Sequence, residues 1–228
     1  MNIADRVNMV KDQLARAAES SGRTPDSIQL VAVSKYQPAE RVLDAYNAGC
    51  RHFGENYVQE AANKRALLGL LQDATWHLIG GLQSNKSALA VQTFDIVQTL
   101  DRPKLASALA AAATAQGKVL QVVLQVDLTG ATGRSGCAPA DIPGLAEFVM
   151  QQPGLQLRGL MAMAPVGIGD VDTRKAFASV RQLYDALPTQ CQDILSMGMS
   201  GDFPLAIAEG ANVVRVGTAI FGERPMVS

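Results

Sequence analysis

The chain has 228 residues, 48% of them hydrophobic, and a formal net charge of −1. That is enough for one full core, and balanced charge without a Lys/Arg run gives no bulk attraction to nucleic acid or an anionic membrane. No apolar run approaches the length of a membrane span, and three scattered cysteines with only two histidines give no basis for a disulfide framework or a metal site.

The N-terminal segment carries Asp5 and Arg6 early and has no apolar leader core, so it does not read as a signal peptide, and a cytoplasmic location is expected. Ile3, Val7, Val10 and Leu14 recur at helical spacing, with Gly22 as the stop. From there strand-like and helix-like stretches alternate. The strand candidates are QLVAVSK, HFGEN, WHLIGGL, DIVQTL, VLQVVLQVDL, LRGLMAMA, ILSMGMS and NVVRVGTAI. Helix candidates lie between them, among them NYVQEAANKRALLGLLQ and PKLASALAAAATAQG, the latter alanine-rich and stopping at Gly117. Strands alternating with helices predict βαβ units and a parallel sheet. Eight strands predict an α/β fold, a single (β/α)8 TIM barrel with an extra N-terminal helix, over residues 1–228; an open doubly wound sheet shares the alternation.

In a barrel the chemistry sits at the C-terminal ends of the strands. The first strand, Leu30 to Val33, is an unbroken apolar run that ends on Ser34-Lys35, with Pro38 placed to open the next helix. The second ends on Gly54-Glu55-Asn56, and the third carries His77 and runs into Gly80-Gly81. Ser200, Gly217 and Thr218 follow strands seven and eight, where barrels often hold phosphate, and Asp202 is placed as a helix N-cap. Those glycines equally suit tight turns, and Lys35 could extend its amine to solvent, the commoner fate of a lysine. A desolvated lysine would instead be a neutral amine able to attack an aldehyde. With a phosphate cradle across the mouth, that describes a site for a phosphorylated aldehyde held as an imine.

The stretches VAVSKYQPAE, HFGENYVQE, WHLIGGLQSNK, GRSG, GLMAMAP, LSMGMSGDF and VRVGTAIFG closely resemble the pyridoxal phosphate homeostasis protein family, also called the YggS/PROSC family. The motifs run from Leu30 to Gly222, and the leading helix matches too. The resemblance implies a single barrel that binds pyridoxal 5'-phosphate (PLP), similar to the N-terminal domain of alanine racemase. It makes Lys35 the aldimine lysine, and Ser200, Gly217 and Thr218 the phosphate positions. It sets Arg215 toward the pyridine nitrogen and puts Asn56, His77 and Met197 on motifs that line the pocket. Asp127 and Arg134 depart from it, where asparagine and lysine are more usual; arginine keeps the charge but forms no imine.

The function it implies is intracellular PLP (vitamin B6) homeostasis, as a carrier and regulator without turnover of its own, with apo PLP-dependent enzymes as recipients. An arginine gives up no proton at ordinary pH, so Arg215 would leave the ring nitrogen unprotonated and weaken the ring as an electron sink. A monomer is expected, because the racemase-type dimer depends on a second domain not seen in this sequence. Two other classes stay open on the residues alone: a weak PLP racemase or lyase with His77 or Tyr57 as base, and a Schiff-base aldolase of phosphorylated sugars.

Overall fold

The residues of a short strand point alternately to its two faces, and a closed barrel buries both. The computed structural model describes residues 1–69, 71, 73–130 and 135–222. Its strands are β1 (Gln29–Val33), β2 (His52–Glu55), β3 (Thr75–Leu78), β4 (Ile96–Leu100), β5 (Leu120–Val126), β6 (Leu155–Ala162), β7 (Ile194–Ser196) and β8 (Val213–Val216). They pair in parallel in sequence order, and β8 returns to β1 through Gln29↔Val213 and Val31↔Arg215. Closure decides between the two sheet topologies: the fold is a (β/α)8 barrel.

Around it run α1 (Ile3–Ser20), α2 (Ala39–Asn47), α3 (Val58–Leu68), α4 (Ser87–Thr93), α5 (Pro103–Ala115), α6 (Ile142–Met150), α7 (Gly169–Asp185), α8 (Phe203–Ala208) and α9 (Thr218–Phe221). α1 is the extra helix. It buries Ile3, Val7, Val10, Leu14 and Ala18 against α2, α8 and α9, and Asn2 Oδ1 caps it by accepting the Asp5 N–H at 2.8 Å. Gly22, at φ +69°, takes the left-handed turn past its end, and Gly117, at φ +63°, does the same after α5. Among the described residues no helix is long and apolar enough to cross a membrane.

Three local expectations differ in detail. Pro38 precedes α2 as its N-cap, extended at ψ 160°, rather than lying inside the first turn. The Asp202 side chain does not cap α8; its Oδ1 accepts the Met199 N–H at 2.6 Å and closes the loop after β7. α3 ends at Leu68 before Gly69, short of the expected run to Gln72; Leu70 and Gln72 lie outside the described residues.

The core has two layers. Phe53, Trp76, Leu78, Leu195 and Met197 belong to the large cluster shared with the helices. Val31, Ile96, Val123, Met161, Ile194 and Val213 form a smaller cluster inside the barrel. This alternation decides which side chains can reach the barrel's mouth. Closure also depends on Gly159, held at φ +148°, where a Cβ would collide with the carbonyl oxygen of Ile194 on β7. Gly159→Val is expected to cost about 2–4 kcal/mol. Urea denaturation checks this: an unchanged midpoint would show that β6 and β7 are free to separate.

Candidate functional site

At the C-terminal ends of the strands a cavity of about 430 Å³ opens. That size lies in the roughly 300–1,000 Å³ range of small-molecule sites. Lys35, Asn56, Ser200, Arg215, Gly217 and Thr218 line it together. The structure thus brings six of the eight sequence-predicted site residues to one wall. Because β8 pairs directly with β1, Gly217 and Thr218 stand beside Lys35's strand rather than across the mouth from it. Gly80 lets the wall close, since a Cβ there would strike the backbone of Asn56.

Several polar groups of this wall have no partner. Asn56 Oδ1 and Gln125 Oε1 are buried without a hydrogen bond, and both residues line the cavity. Among the described residues the backbone N–H groups of Ser200, Gly201, Thr218 and Ala219 donate to no protein acceptor. Buried polar atoms are rarely left this way, and leftover N–H groups around small residues suit an anion.

His77 and Met197 lie outside the lining. Met197 follows Ser196 and so points outward into the helix-facing core. His77 is fully buried inside the barrel, below the mouth, with both ring nitrogens engaged: Nε2 to His52 Nδ1 at 3.1 Å and Nδ1 to Gln98 Nε2 at 2.8 Å. Burial, then the neighbouring His52, lowers its pKa to about 3, so it is neutral. Arg215 is held from below, Nη1 donating to Ser196 Oγ at 2.5 Å and Nη2 to Ala162 O at 2.9 Å. Burial lowers its pKa to about 10, partly opposed by Asp202, and it remains a cation near neutral pH.

The turn that carries Lys35 is clamped by groups that sequence reasoning missed. Lys64, on α3 and nearly buried, donates to Ser34 O at 2.6 Å, to Glu55 Oε1 at 2.7 Å and to Glu60 Oε1 at 2.7 Å. Glu55 Oε1 also accepts from Ser34 Oγ at 2.7 Å, and Glu60 Oε1 from the Tyr36 N–H at 2.5 Å. Ser34 and Tyr36 are thereby fixed on either side of Lys35. Tyr36 sits at φ +62°, the one described non-glycine residue with a positive φ. Burial pushes the Glu55 carboxyl up, and Lys64 and Ser34 pull it back.

A larger cavity of about 570 Å³ lies at the opposite end of the barrel. Its cations are already occupied: Lys11 by Ala48 O and Gly49 O, and Arg51 by Asp73. Among the described residues no three His, Cys, Asp or Glu side chains gather as metal ligands. Asp127 Oδ1 accepts the Thr129 N–H at 2.8 Å and closes its own turn; Arg134 lies outside the described residues.

The sequence matches the family model of the alanine racemase N-terminal domain over residues 10–225. A pyridoxal phosphate homeostasis protein of Pseudomonas aeruginosa is 46% identical over 222 residues, 97% of this chain and 96% of that protein. The chain belongs to the pyridoxal phosphate homeostasis protein family. The family member from Escherichia coli is 41% identical over 98% of this chain and 97% of its own length. The structure of PipY from Synechococcus elongatus with PLP bound superposes at a TM-score of 0.83, with 42% identity, covering 97% of this chain and 100% of that one. Alanine racemase of Bartonella henselae, at 19% identity and a TM-score of 0.74 over 60% of its length, shares the fold.

In this family member the clamp and the histidine make separate predictions. Lys64→Met leaves Glu55 buried without its cation and is expected to cost about 3–5 kcal/mol. Glu55 then has a folded pKa raised further, so stability is retained at acid pH and lost as pH rises through that value. Urea midpoints near pH 5 and pH 8 test this; a loss equal at both would remove the clamp from the account. For His77 the folded pKa is depressed, so its contribution is present above about 6.5 and lost as pH falls toward about 3. His77→Gln is expected to flatten the stability profile in that window, and a slope unchanged from wild type would contradict a buried neutral imidazole.

Proposed function

We propose that this chain holds PLP in the mouth cavity and serves intracellular PLP homeostasis as a carrier and regulator, without turnover of its own. The observation that carries this reading is one cavity lined by a lysine, an arginine with neutral partners, and unspent donors and acceptors. When bound, PLP supplies an aldehyde that a primary amine captures reversibly, and a ring that can take up electron density.

Lys35 is the amine, held in place by the fixed turn around it. Ser200, Gly217 and Thr218, with the N–H groups beside them, are the anion grip. Arg215 presents its remaining donors to the ring nitrogen, and a guanidinium that keeps its protons leaves that nitrogen unprotonated. Asn56 and Gln125 offer acceptors to the ligand's edge. Confined carbanion chemistry needs a closed wall, and here the rim is open: Tyr36, Tyr57, Met163 and Met199 are each more than a third exposed.

The residues offered for a catalytic base do not support one. His77 is neutral, saturated and outside the cavity. Tyr57 is exposed and bonded to Tyr36 through their hydroxyls at 2.5 Å. Release through the open rim to apo PLP-dependent enzymes, from a cytoplasmic monomer, completes the proposal. Purified protein is expected to be yellow, and borohydride reduction followed by mass mapping should mark Lys35. Lys35→Ala should be colourless and unmarked; a variant still labelled at another lysine would reassign the amine, and a sugar phosphate trapped on colourless wild type would favour the aldolase.

A further inference from the structure

Barrel interiors are usually filled by branched apolar side chains. In this one a file of polar side chains crosses the interior beside the small apolar cluster. It begins at Arg215 on β8 and passes to Ser196 on β7, Gln98 on β4, His77 on β3 and His52 on β2. His77, Gln98 and Ser196 are fully buried and Arg215 nearly so. Only the upper end, Arg215, belongs to the mouth cavity; the lower end, His52, lines the cavities at the other side of the barrel.

The proton positions along this file follow from its chemistry. A guanidinium has no acceptor, so Arg215 donates to Ser196 Oγ. Ser196 then has one proton to give, and among the described residues its bonded acceptor is Gln98 Oε1 at 2.7 Å. That orients the Gln98 amide, whose Nε2 donates to His77 Nδ1 at 2.8 Å. Nδ1 is therefore bare, and His77 carries its proton on Nε2, donating to His52 Nδ1 at 3.1 Å. Gln29 Nε2 reaches the same His52 nitrogen at 3.1 Å. From Arg215 to His52 every bond runs the same way, away from Arg215, and Gln29 meets the file from its far end.

We infer that Gln98, Ser196 and His77 are positioning residues for Arg215: the file fixes one edge of the guanidinium to the barrel and leaves the other edge for a ligand's ring nitrogen. This rests on the PLP reading above. With Ser196 acting only as an acceptor toward it, Arg215 cannot rotate its bonded edge away without withdrawing its donors from two buried acceptors, Ser196 Oγ and Ala162 O. Asp202 acts on Arg215 from the loop after β7, and Lys35 lines the same cavity. Among the described residues the titratable group facing His77 is His52, with Asp95 acting on His52.

The test uses PLP labelled with nitrogen-15 in the ring and reads its chemical shift in the loaded protein between about pH 6 and pH 9. Wild type should give a shift of an unprotonated, hydrogen-bonded nitrogen that does not move with pH. Gln98→Met breaks the file at its centre without touching the cavity, and its nitrogen should acquire a pH-dependent shift as the freed arginine lets water protonate it. Ser196→Ala, with little volume removed, should do the same, and Ser196→Thr, which keeps the hydroxyl, should restore the wild-type shift. Borohydride labelling of Lys35 is expected to persist in Gln98→Met, which separates this inference from the binding reading. A pH-independent shift in loaded, folded Gln98→Met and Ser196→Ala would overturn the role assigned to the file and leave PLP binding standing. Wild type that takes up no labelled PLP would overturn both.

Discussion

The ammonium group of Lys64 is the interaction on which the site's geometry depends. A lysine under a helix, against the barrel, is an expensive choice, because removing an ammonium and a carboxylate from water costs several kcal/mol per ion before any attraction is counted. Here one ammonium satisfies three acceptors from two strand ends and its own helix. Two of those acceptors in turn fix Ser34 Oγ and the Tyr36 N–H. The result is a left-handed tyrosine, a conformation that costs an L-residue about 1–2 kcal/mol, held in place by bonds on both sides. Apolar residues in place of Lys64 and its two carboxylates together could match the stability; they could not hold this turn. The clamp is therefore spent on where Lys35 stands rather than on folding the barrel.

The barrel interior shows the same exchange of stability for direction. Half of it is apolar and packs as barrels ordinarily do. The other half holds a guanidinium whose bonded partners are both neutral. An ion pair would have neutralised that cation from within the protein. Neutral acceptors keep it fixed while leaving its charge available to what enters the mouth. The turn that carries Lys35 and the guanidinium of Arg215 thus share one logic: each is fixed by a set of bonds that faces away from the cavity.

How much of this was legible follows from the period of the strand. The run from Leu30 to Val33 announced a strand buried on both faces, and the eight apolar runs gave all eight strands, because no polar alternation competes inside a closed barrel. Counting by twos also separates the faces. Gln29, Val31, Val33 and Lys35 share one parity, and Val31 and Val33 are placed inside the barrel and on the cavity respectively. The same count puts Ser196 inside and Met197 outside, so the sequence contained the signal against Met197 and for Ser196. Gln125 was available in the same way, on the inward parity of Val123. Lys64 was not. It sits in a polar stretch of α3 where any lysine reads as solvated, and its partners come from elements up to 30 residues away. No local pattern encodes a contact that only closure creates. His77 is the converse case: its motif reaches the mouth through Ile79, Gly80 and Gly81, but the register sets His77 itself one layer below the residues that line the cavity.

On the proposed binding mode, the fixed turn and the fixed guanidinium bear on why a barrel that holds a reactive cofactor would do little with it. An electron sink needs a protonated ring nitrogen, or a second base and a sealed volume. Arg215, in the role proposed for it at the ring nitrogen, works against the first. The exposed rim of Tyr36, Tyr57, Met163 and Met199 works against the second. What survives is the pair of properties that retention needs: a placed amine for the carbonyl and backbone donors for the anion. Reversible covalent capture holds well when the anion grip keeps the aldehyde beside the amine, since the second attachment is then intramolecular. It also releases through an open mouth once a competing amine enters. An arrangement that lowers the reactivity of the ring while keeping the reactivity of the aldehyde is suited to delivery, and in the proposed site both halves of it are set by side chains outside the cavity lining.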